Sequence, residues 1–266
     1  IALNKKDGTL AGEEAEGIGK AILHCNWSSP SKGKVKGKDA VFFAGGDGVL
    51  YAFDTKFKKD EEGYDIFSTL WKYDCNPADY KKDKEGKVIK YPAAEGPSEL
   101  IATPTYYKGN VYVAIGQDPE HGEGVGCLSC IDADTGKKVW EFKKIKRTIS
   151  TCAVDASNGL LFAADYSGYV YCLDAKNGEL HWVYDQKAHM WGSPLVADGK
   201  VYIGDEDGDF VVLASDKNMK LLSETFFPAP IYSTPIVANG ILYVATQSHL
   251  YALFDEDHSK KATKDK

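Results

Sequence analysis

The stretch Gly116-Gln117-Asp118-Pro119-Glu120-His121-Gly122-Glu123-Gly124-Val125-Gly126 gathers several polar side chains of different chemistry in one glycine-rich loop. Gln117, Asp118, Glu120, His121 and Glu123 supply an amide, carboxylates and an imidazole among four glycines, and glycine lets a backbone approach a ligand closely. A second acidic stretch, Asp205-Glu206-Asp207-Gly208-Asp209, resembles a calcium loop but lacks the terminal Glu spacing of an EF-hand. No nucleophile–base pair, metal triad or phosphate loop emerges, and the six histidines (24, 121, 181, 189, 249, 258) show no ligand spacing. No catalytic residue and no metal ligand is therefore expected. Clustered carboxylates focus a negative potential, which suits a cation or a basic partner. The plainer alternative is that Asp and Gly are simply good turn residues. Trp27 and Trp191 add two aromatics near first strands, each either a plug or a platform for a ligand on the axis.

Such loops need rigid elements to hold them, and residues 149–184 serve as the template. Four short apolar runs (151–154, 160–164, 169–173 and 180–184) are separated by Asn158-Gly159, Ser167-Gly168 and Asn177-Gly178. Asn-Gly and Ser-Gly between β-branched and aromatic runs are hairpin signals, because Gly tolerates the positive φ of tight turns. One four-stranded meander cannot bury both faces alone, so copies must stack beside it. Trp140 and Trp182 are 42 residues apart, as are Gly136 and Gly178, while Cys152, Pro194 and Pro235 follow at 42 and 41. A period of about 40–45 residues with four strands is propeller-blade spacing. The predicted fold is all-β, a β-propeller of four-stranded antiparallel blades.

Taken in order, residues 1–25 read as the remnant of a preceding blade followed by a loop, because Ala2-Leu3-Asn4 through Thr9-Leu10 aligns with Cys172-Leu173-Asp174 through Glu179-Leu180. Five blades occupy residues 26–254: A at 26–74, B at 98–143, C at 148–184, D at 190–223 and E at 231–254. Residues 56–68 form a charged insertion in the third turn of blade A, and 75–97 an exposed Lys-, Asp-, Glu- and Pro-bearing linker. Blade D carries Met219 and Ser223 where blade C has Gly178 and Trp182, so its outer strand reads as degenerate. Blade E has no fourth strand before the charged tail 255–266. An uncapped arc would expose apolar blade flanks, so the five blades are expected to be part of a larger ring with upstream blades beyond this sequence.

A net charge of −7 argues against nucleic acid, since phosphate binding needs a basic surface. No apolar run approaches the roughly 20 residues that span a bilayer. The first residue is Ile1 rather than Met, so the lack of a visible signal peptide does not exclude export. Cys127-Leu-Ser-Cys130 has no second CxxC to complete a zinc site, and Ile131 follows it where haem attachment would need a histidine. Strand alternation sends the two cysteines to opposite faces. The six cysteines read as ordinary half-buried strand residues.

The motifs Cys172-x-Asp174-x-x-Asn177-Gly178-x-x-x-Trp182 and Cys130-x-Asp132-x-x-Thr135-Gly136-x-x-x-Trp140 resemble the tryptophan-docking motif of quinoprotein, or PQQ-like, propellers. Blade A keeps Ala52, Asp54 and a displaced Trp71, and Ser/Thr-Pro recurs at 29–30, 103–104, 193–194 and 234–235. Trp71, Trp140 and Trp182 then become structural docking residues, each filling the wedge between neighbouring blades. The segments WSSP, GGDG-x-LYAFD, IATP, GQDPEHGEGVG and GDEDGD, in this order, are similar to PQQ-binding-like repeat proteins of planctomycete type. The resemblance implies seven or eight blades. In the enzymes of this family it would also imply PQQ on the axis with Ca²⁺ held by Glu, Asn and Asp, a catalytic Asp and a disulfide between adjacent cysteines. This sequence has no Cys-Cys pair, so no cofactor is expected, with PQQ and Ca²⁺ as the alternative.

Meander topology puts the second–third turns and the blade-to-blade connections at one end of each blade, and the other turns at the opposite end. The first end receives 45–48, 116–126, 165–168, 205–208, the linker 75–97, and His24, Trp27 and 189–191. Elaborated loops on one rim of a rigid scaffold mark its working face. The expected function is a non-catalytic binding or assembly module with a protein partner, in the periplasm or another extracytoplasmic compartment, acting through Trp27, Gln117, Asp118, Glu120, His121, Glu123, Trp191, Asp205, Glu206 and Asp207. The alternatives are a PQQ-dependent oxidoreductase and a propeller subunit of a larger redox complex.

Overall fold

A computed structural model of the chain describes residues 1–254; the charged tail expected at 255–266 lies outside them. Regular structure among the described residues is almost all strand. The chain divides into two compact units, Ile1–Thr151 and the residues from Cys152 onward.

The first unit opens with a two-stranded hairpin, β1 (Ala2–Leu3) and β2 (Leu10–Gly12), and a one-turn helix, α1 (Ile18–Ala21). Two four-stranded meanders follow. Blade A comprises β3 (Ser31–Val35), β4 (Lys38–Ala44), β5 (Val49–Lys59) and β6 (Asp65–Asp74). Blade B comprises β7 (Thr105–Tyr107), β8 (Asn110–Ala114), β9 (Leu128–Asp132) and β10 (Lys138–Phe142). Phe42, Leu50 and Ala52 of blade A meet Val111, Val113 and Ile131 of blade B in one buried core.

In the second unit blade C is β11 (Ala153–Asp155), β12 (Leu160–Ala164), β13 (Tyr169–Asp174) and β14 (Leu180–Asp185). Blade D is β15 (Leu195–Ala197), β16 (Lys200–Gly204), β17 (Asp209–Ala214) and β18 (Leu221–Phe226), and among the described residues blade E has three strands, β19 (Ile236–Ala238), β20 (Ile241–Ala245) and β21 (Leu250–Leu253). The inner strands β12 and β13 are apolar on both faces and largely buried. Every residue of β12 is buried. Phe162, Val170 and Cys172 pack against Val201, Val211 and Leu213, while Phe210 and Phe227 pack against Val244.

The repeat motif has a local cause. Asp132 Oδ1 accepts from Thr135 N at 2.8 Å and Thr135 Oγ1 at 2.6 Å, and Gly136 N donates to Asp132 O at 2.8 Å. Gly136 follows at φ 69°, a conformation that glycine adopts without strain. Asp174, Asn177 and Gly178 repeat this turn in blade C. The register shifts next to the paired residues Trp71–Ala52, Trp140–Cys130, Trp182–Cys172 and Ser223–Val212, once per blade from A to D. Trp71 Nε1 donates to Ala133 O of blade B at 2.7 Å, and Trp182 Nε1 to Asp216 O of blade D at 2.8 Å. Trp140 is buried, its ring 5.8 Å from that of Tyr112.

Four segments differ from expectation. Residues 56–68 are not a loose turn: β5 and β6 run on as a long hairpin, closed by Phe57 and Phe67 with ring centroids 4.9 Å apart. Glu13 bridges to Ile66 on this hairpin, and the supposed loop before Cys25 contains α1, whose Ile18 is buried with Tyr51 and Phe53. The linker 75–97 is partly core, because Cys75 and Tyr80 join the blade A–B cluster. Finally, β18 is a regular six-residue strand paired along its length with β17; its residues are all exposed, and Ser223 stands where blade C has the docking Trp182.

Candidate functional site

Both units carry a cluster of chemically active side chains at the blade end where the second–third turns and the interblade connections meet. In unit 1 the backbone stitches these segments together: Leu23 N donates to Gly46 O, Cys75 N to Gly48 O, Leu100 N to Gly45 O, Gly116 N to Glu99 O and Val125 N to Ala94 O. Asn76 and Ser98 exchange two bonds of 2.8 Å, which pins both ends of the linker 75–97. Gln117 is buried, with Nε2 donating to Pro97 O at 3.0 Å. Asp118 caps the 3-10 turn Pro119–His121 by accepting from Glu120 N at 2.9 Å, and its Oδ2 lies 3.7 Å from His24 Nε2. The His121 ring meets His24 at 5.8 Å and Tyr91 at 5.4 Å, both edge-on.

Beneath these rings lies Glu99, wholly buried, with one carboxyl oxygen accepting from Cys25 N at 3.2 Å and Oε1 without a partner. Burial pushes its carboxyl above the usual range, against the Cys25 amide bond and the neighbouring His24. Burial, with Glu99 and Asp118 nearby, raises the Cys25 thiol, which removes the thiolate a nucleophile needs. Tyr91 is pushed up to about 12, chiefly by burial. Arg147, 2% exposed, donates through Nη2 to Ala93 O while Nε and Nη1 have no partner, and burial lowers its pKa.

Unit 2 builds a different surface. Tyr166 comes from the β12–β13 turn, His189 and Trp191 from the β14–β15 connection, Glu206 from the β16–β17 turn and Tyr232 from the β18–β19 connection. Tyr166 stacks on His189 with centroids 4.2 Å apart and planes 5° from parallel. Trp191 meets Tyr166 at 5.7 Å and Tyr232 at 5.3 Å, both T-shaped. Glu206 holds two of these rings by their edges: Oε1 lies 2.7 Å from His189 Nδ1, and Oε2 accepts from Trp191 Nε1 at 2.9 Å. Backbone bonds from Met190 N to Tyr166 O, Glu206 N to His189 O and Ile231 N to Asp205 O fix the supporting loops.

Of the residues expected to bind, the structure brings Gln117, Asp118 and His121 together in unit 1, and Trp191 and Glu206 in unit 2. Glu120, Glu123 and Asp207 are exposed on their loops. Trp27 is 58% exposed and is not a buried plug. Asp205 is wholly buried rather than part of a solvent-facing acidic surface: its Oδ1 accepts from Asp207 N and Asp209 N, closing its own turn. Burial raises its carboxyl, and Oδ2 has no partner. The turn that buries Asp205 is the one that buries Asp165, and the two differ at Oδ2 by one substitution between repeats. In blade C Tyr171 Oη donates to Asp165 Oδ2 at 2.7 Å, whereas blade D has Val211 at that position.

Sequence reasoning placed His24 and His189 at this blade end without counting them among the binding residues, and it did not single out Tyr166 and Tyr232 in unit 2 or Cys25, Tyr91, Glu99 and Arg147 in unit 1. Aligned repeats carry a signal for two of them. The position three residues before the first-strand proline holds Trp27, Ile101, Trp191 and Tyr232, and Tyr166 shares its turn position with Glu206. Nothing in the local sequence marks Glu99 or Arg147.

Stacked four-stranded meanders, docking tryptophans and Asp-x-x-Thr/Asn-Gly turns define a β-propeller of PQQ-like repeats. The comparisons agree with that class. Residues 124–220 match the family model described as outer membrane protein assembly factor BamB. Tetrathionate hydrolase of Acidithiobacillus ferrooxidans is 29% identical over 132 residues, covering 50% of this chain and 24% of its own. Quinoprotein ethanol dehydrogenase of Pseudomonas putida is 34% identical over 104 residues, covering 37% of this chain and 16% of its own. BamB of Escherichia coli is 24% identical over 143 residues, covering 50% and 36%. The crystal structure of BamB from Moraxella catarrhalis superposes with a TM-score of 0.64 at 16% identity, covering 87% of this chain and 60% of that one. The chain is thus similar to PQQ-like repeat propellers, and its matches span 16–36% of the length of these curated relatives.

The donor set that the quinoprotein resemblance implies for PQQ and Ca²⁺ does not fit the residues present. All six cysteines are free and none are adjacent. Among the described residues, no group of three or more His, Cys, Asp or Glu converges with metal-ligand geometry.

Proposed function

We propose that this chain is a non-catalytic propeller module that binds a polypeptide partner through the loop-bearing ends of its blades, as part of an assembly in the cell envelope. The observation that carries the reading is the ring cluster of unit 2. Three connections hold aromatic side chains around Glu206 of a fourth, with Trp191 half-buried and Tyr232 43% exposed. Aromatic residues that keep a polar handle are the side chains on which protein interfaces concentrate their energy. The assembly role and the envelope location rest on similarity to proteins named outer membrane protein assembly factor. Among the described residues no helix is long and apolar enough to cross a membrane.

The test is co-purification from cells with a tagged full-length chain. A partner held by the wild type should be lost from the double variant Trp191→Ala/Tyr232→Ala and kept by Lys137→Ala/Glu179→Ala, whose residues lie in third–fourth turns at the opposite blade end. Equal loss from both double variants would contradict the reading. The quinoprotein reading is favoured by the 34% identity to an ethanol dehydrogenase. It requires a saturable quinone absorbance band on titration with PQQ and Ca²⁺.

A further inference from the structure

The ring cluster of unit 2 holds its carboxylate in a form that still has capacity to accept. Glu206 touches His189 Nδ1 through one oxygen and Trp191 Nε1 through the other. A carboxylate oxygen has two lone-pair sites, so each oxygen keeps one after these contacts. The Glu206 side chain is 30% exposed and the His189 side chain 38% exposed, so solvent reaches the pair. The surrounding loops (165–168, 186–192, 205–208 and 227–235) contain Asp165, Asp205, Glu206 and Asp207 against one cation, Lys187. Asp165 and Asp205 are buried, which leaves Glu206 and Asp207 to set the sign at the surface. A carboxylate beside indole and phenol rings is complementary to a cation that is also flat. Guanidinium stacks on aromatic faces and donates several N–H bonds at once, whereas an ammonium is a compact, strongly hydrated charge.

We propose that the surface formed by Tyr166, His189, Trp191, Glu206 and Tyr232 receives an arginine side chain of the polypeptide partner, its guanidinium lying against the rings and donating to Glu206. This rests on the reading of the chain as a protein-binding module and names the chemistry of the partner at one subsite. Binding of the whole partner and recognition of arginine are separable: co-purification tests the first, and a small-molecule titration tests the second.

The titration uses the full chain labelled with ¹⁵N and follows indole N–H resonances. Trp191 is assigned by its loss in Trp191→Phe, and Trp182, whose indole donates to Asp216 O, reports that the blade stays folded. The probes are N-acetyl-arginine amide and its neutral isostere N-acetyl-citrulline amide. The arginine probe should shift the Trp191 resonance saturably, with Trp182 unmoved and Kd at least tenfold lower than for citrulline. Glu206→Gln should weaken arginine binding at least fivefold, and Tyr232→Ala, at an exposed position, should weaken it while leaving the fold intact. Equal affinity for the two probes, no saturable shift up to about 100 mM, or unchanged binding in both variants with Trp182 in place would overturn the proposal. If the ring variants still lose the polypeptide partner in that event, the binding reading stands and only the arginine subsite falls.

Discussion

In unit 1 the long segments, 75–97 and 116–126, fold onto one another and bury polar groups where they meet. In unit 2 the connections are short and leave their rings at the surface. Glu99, Gln117 and Arg147 are all buried, each with an unpartnered atom. Glu206 is half-exposed, with both oxygens engaged. Loop length therefore does not predict which blade end presents a surface. Extra residues in unit 1 are spent on linker packing, with Tyr80 in the core and its Oη donating to Gly126 O at 3.1 Å. The ring cluster of unit 2 depends instead on residue type at repeat-equivalent positions, in turns too short to collapse.

Both units use the same docking device, so its removal should hurt both equally. Trp182→Ala is expected to destabilise by about 3–5 kcal/mol, as large aromatic truncations do, and Trp71→Ala by a similar amount. Denaturant unfolding checks this; a midpoint within experimental error of wild type for either variant would remove the docking role in that unit.

A smaller effect separates two left-handed turn glycines. At Gly136, φ 69°, a Cβ would lie 2.7 Å from Trp71 Cγ, whereas at Gly159, φ 77°, it would meet nothing within 4 Å. Gly159→Ala should cost about 1 kcal/mol from backbone strain alone, and Gly136→Ala clearly more, because it also displaces the docking ring. Equal costs would show that the turn does not seat the tryptophan.

The blade repeat was legible because hairpin glycines, strand alternation and the tryptophan spacing all follow local rules. The Asp-x-x-Thr/Asn-Gly turns are visible in sequence because their hydrogen bonds close within a single turn. Glu99 was not legible: its partner Cys25 is 74 residues away, and burial there depends on how the linker folds. Asp205 was misread as surface for a similar reason, since its burial is set by turn geometry shared with Asp165 and not by composition. Tyr232 and Tyr166 were within reach of a repeat alignment that compared turn positions as well as strand positions.

The buried acids give the smallest expected effect and one with a definite sign. Burial raises the folded-state pKa of Glu99. The neutral acid is then favoured by folding, and this contribution is full below the unfolded carboxyl range and lost as pH rises through the raised value. Glu99→Gln, which keeps a neutral side chain at every pH, should therefore gain stability relative to wild type as pH rises from about 4 to about 7. Asp205→Asn should follow the same trend, because Asp205 is raised by the same cause. A wild-type-to-variant difference that does not change with pH would contradict the burial account for that residue.

The contrast between the two units is tested most directly by site-specific photo-crosslinking in cells. A photoreactive amino acid replaces, one at a time, Tyr232 in unit 2, Glu120 in unit 1, and Lys137 and Glu179 at the opposite blade ends. The account predicts the highest yield of polypeptide adduct at Tyr232, a lower yield at Glu120 and background at Lys137 and Glu179. Adducts at Lys137 or Glu179 matching those at Tyr232 would contradict it.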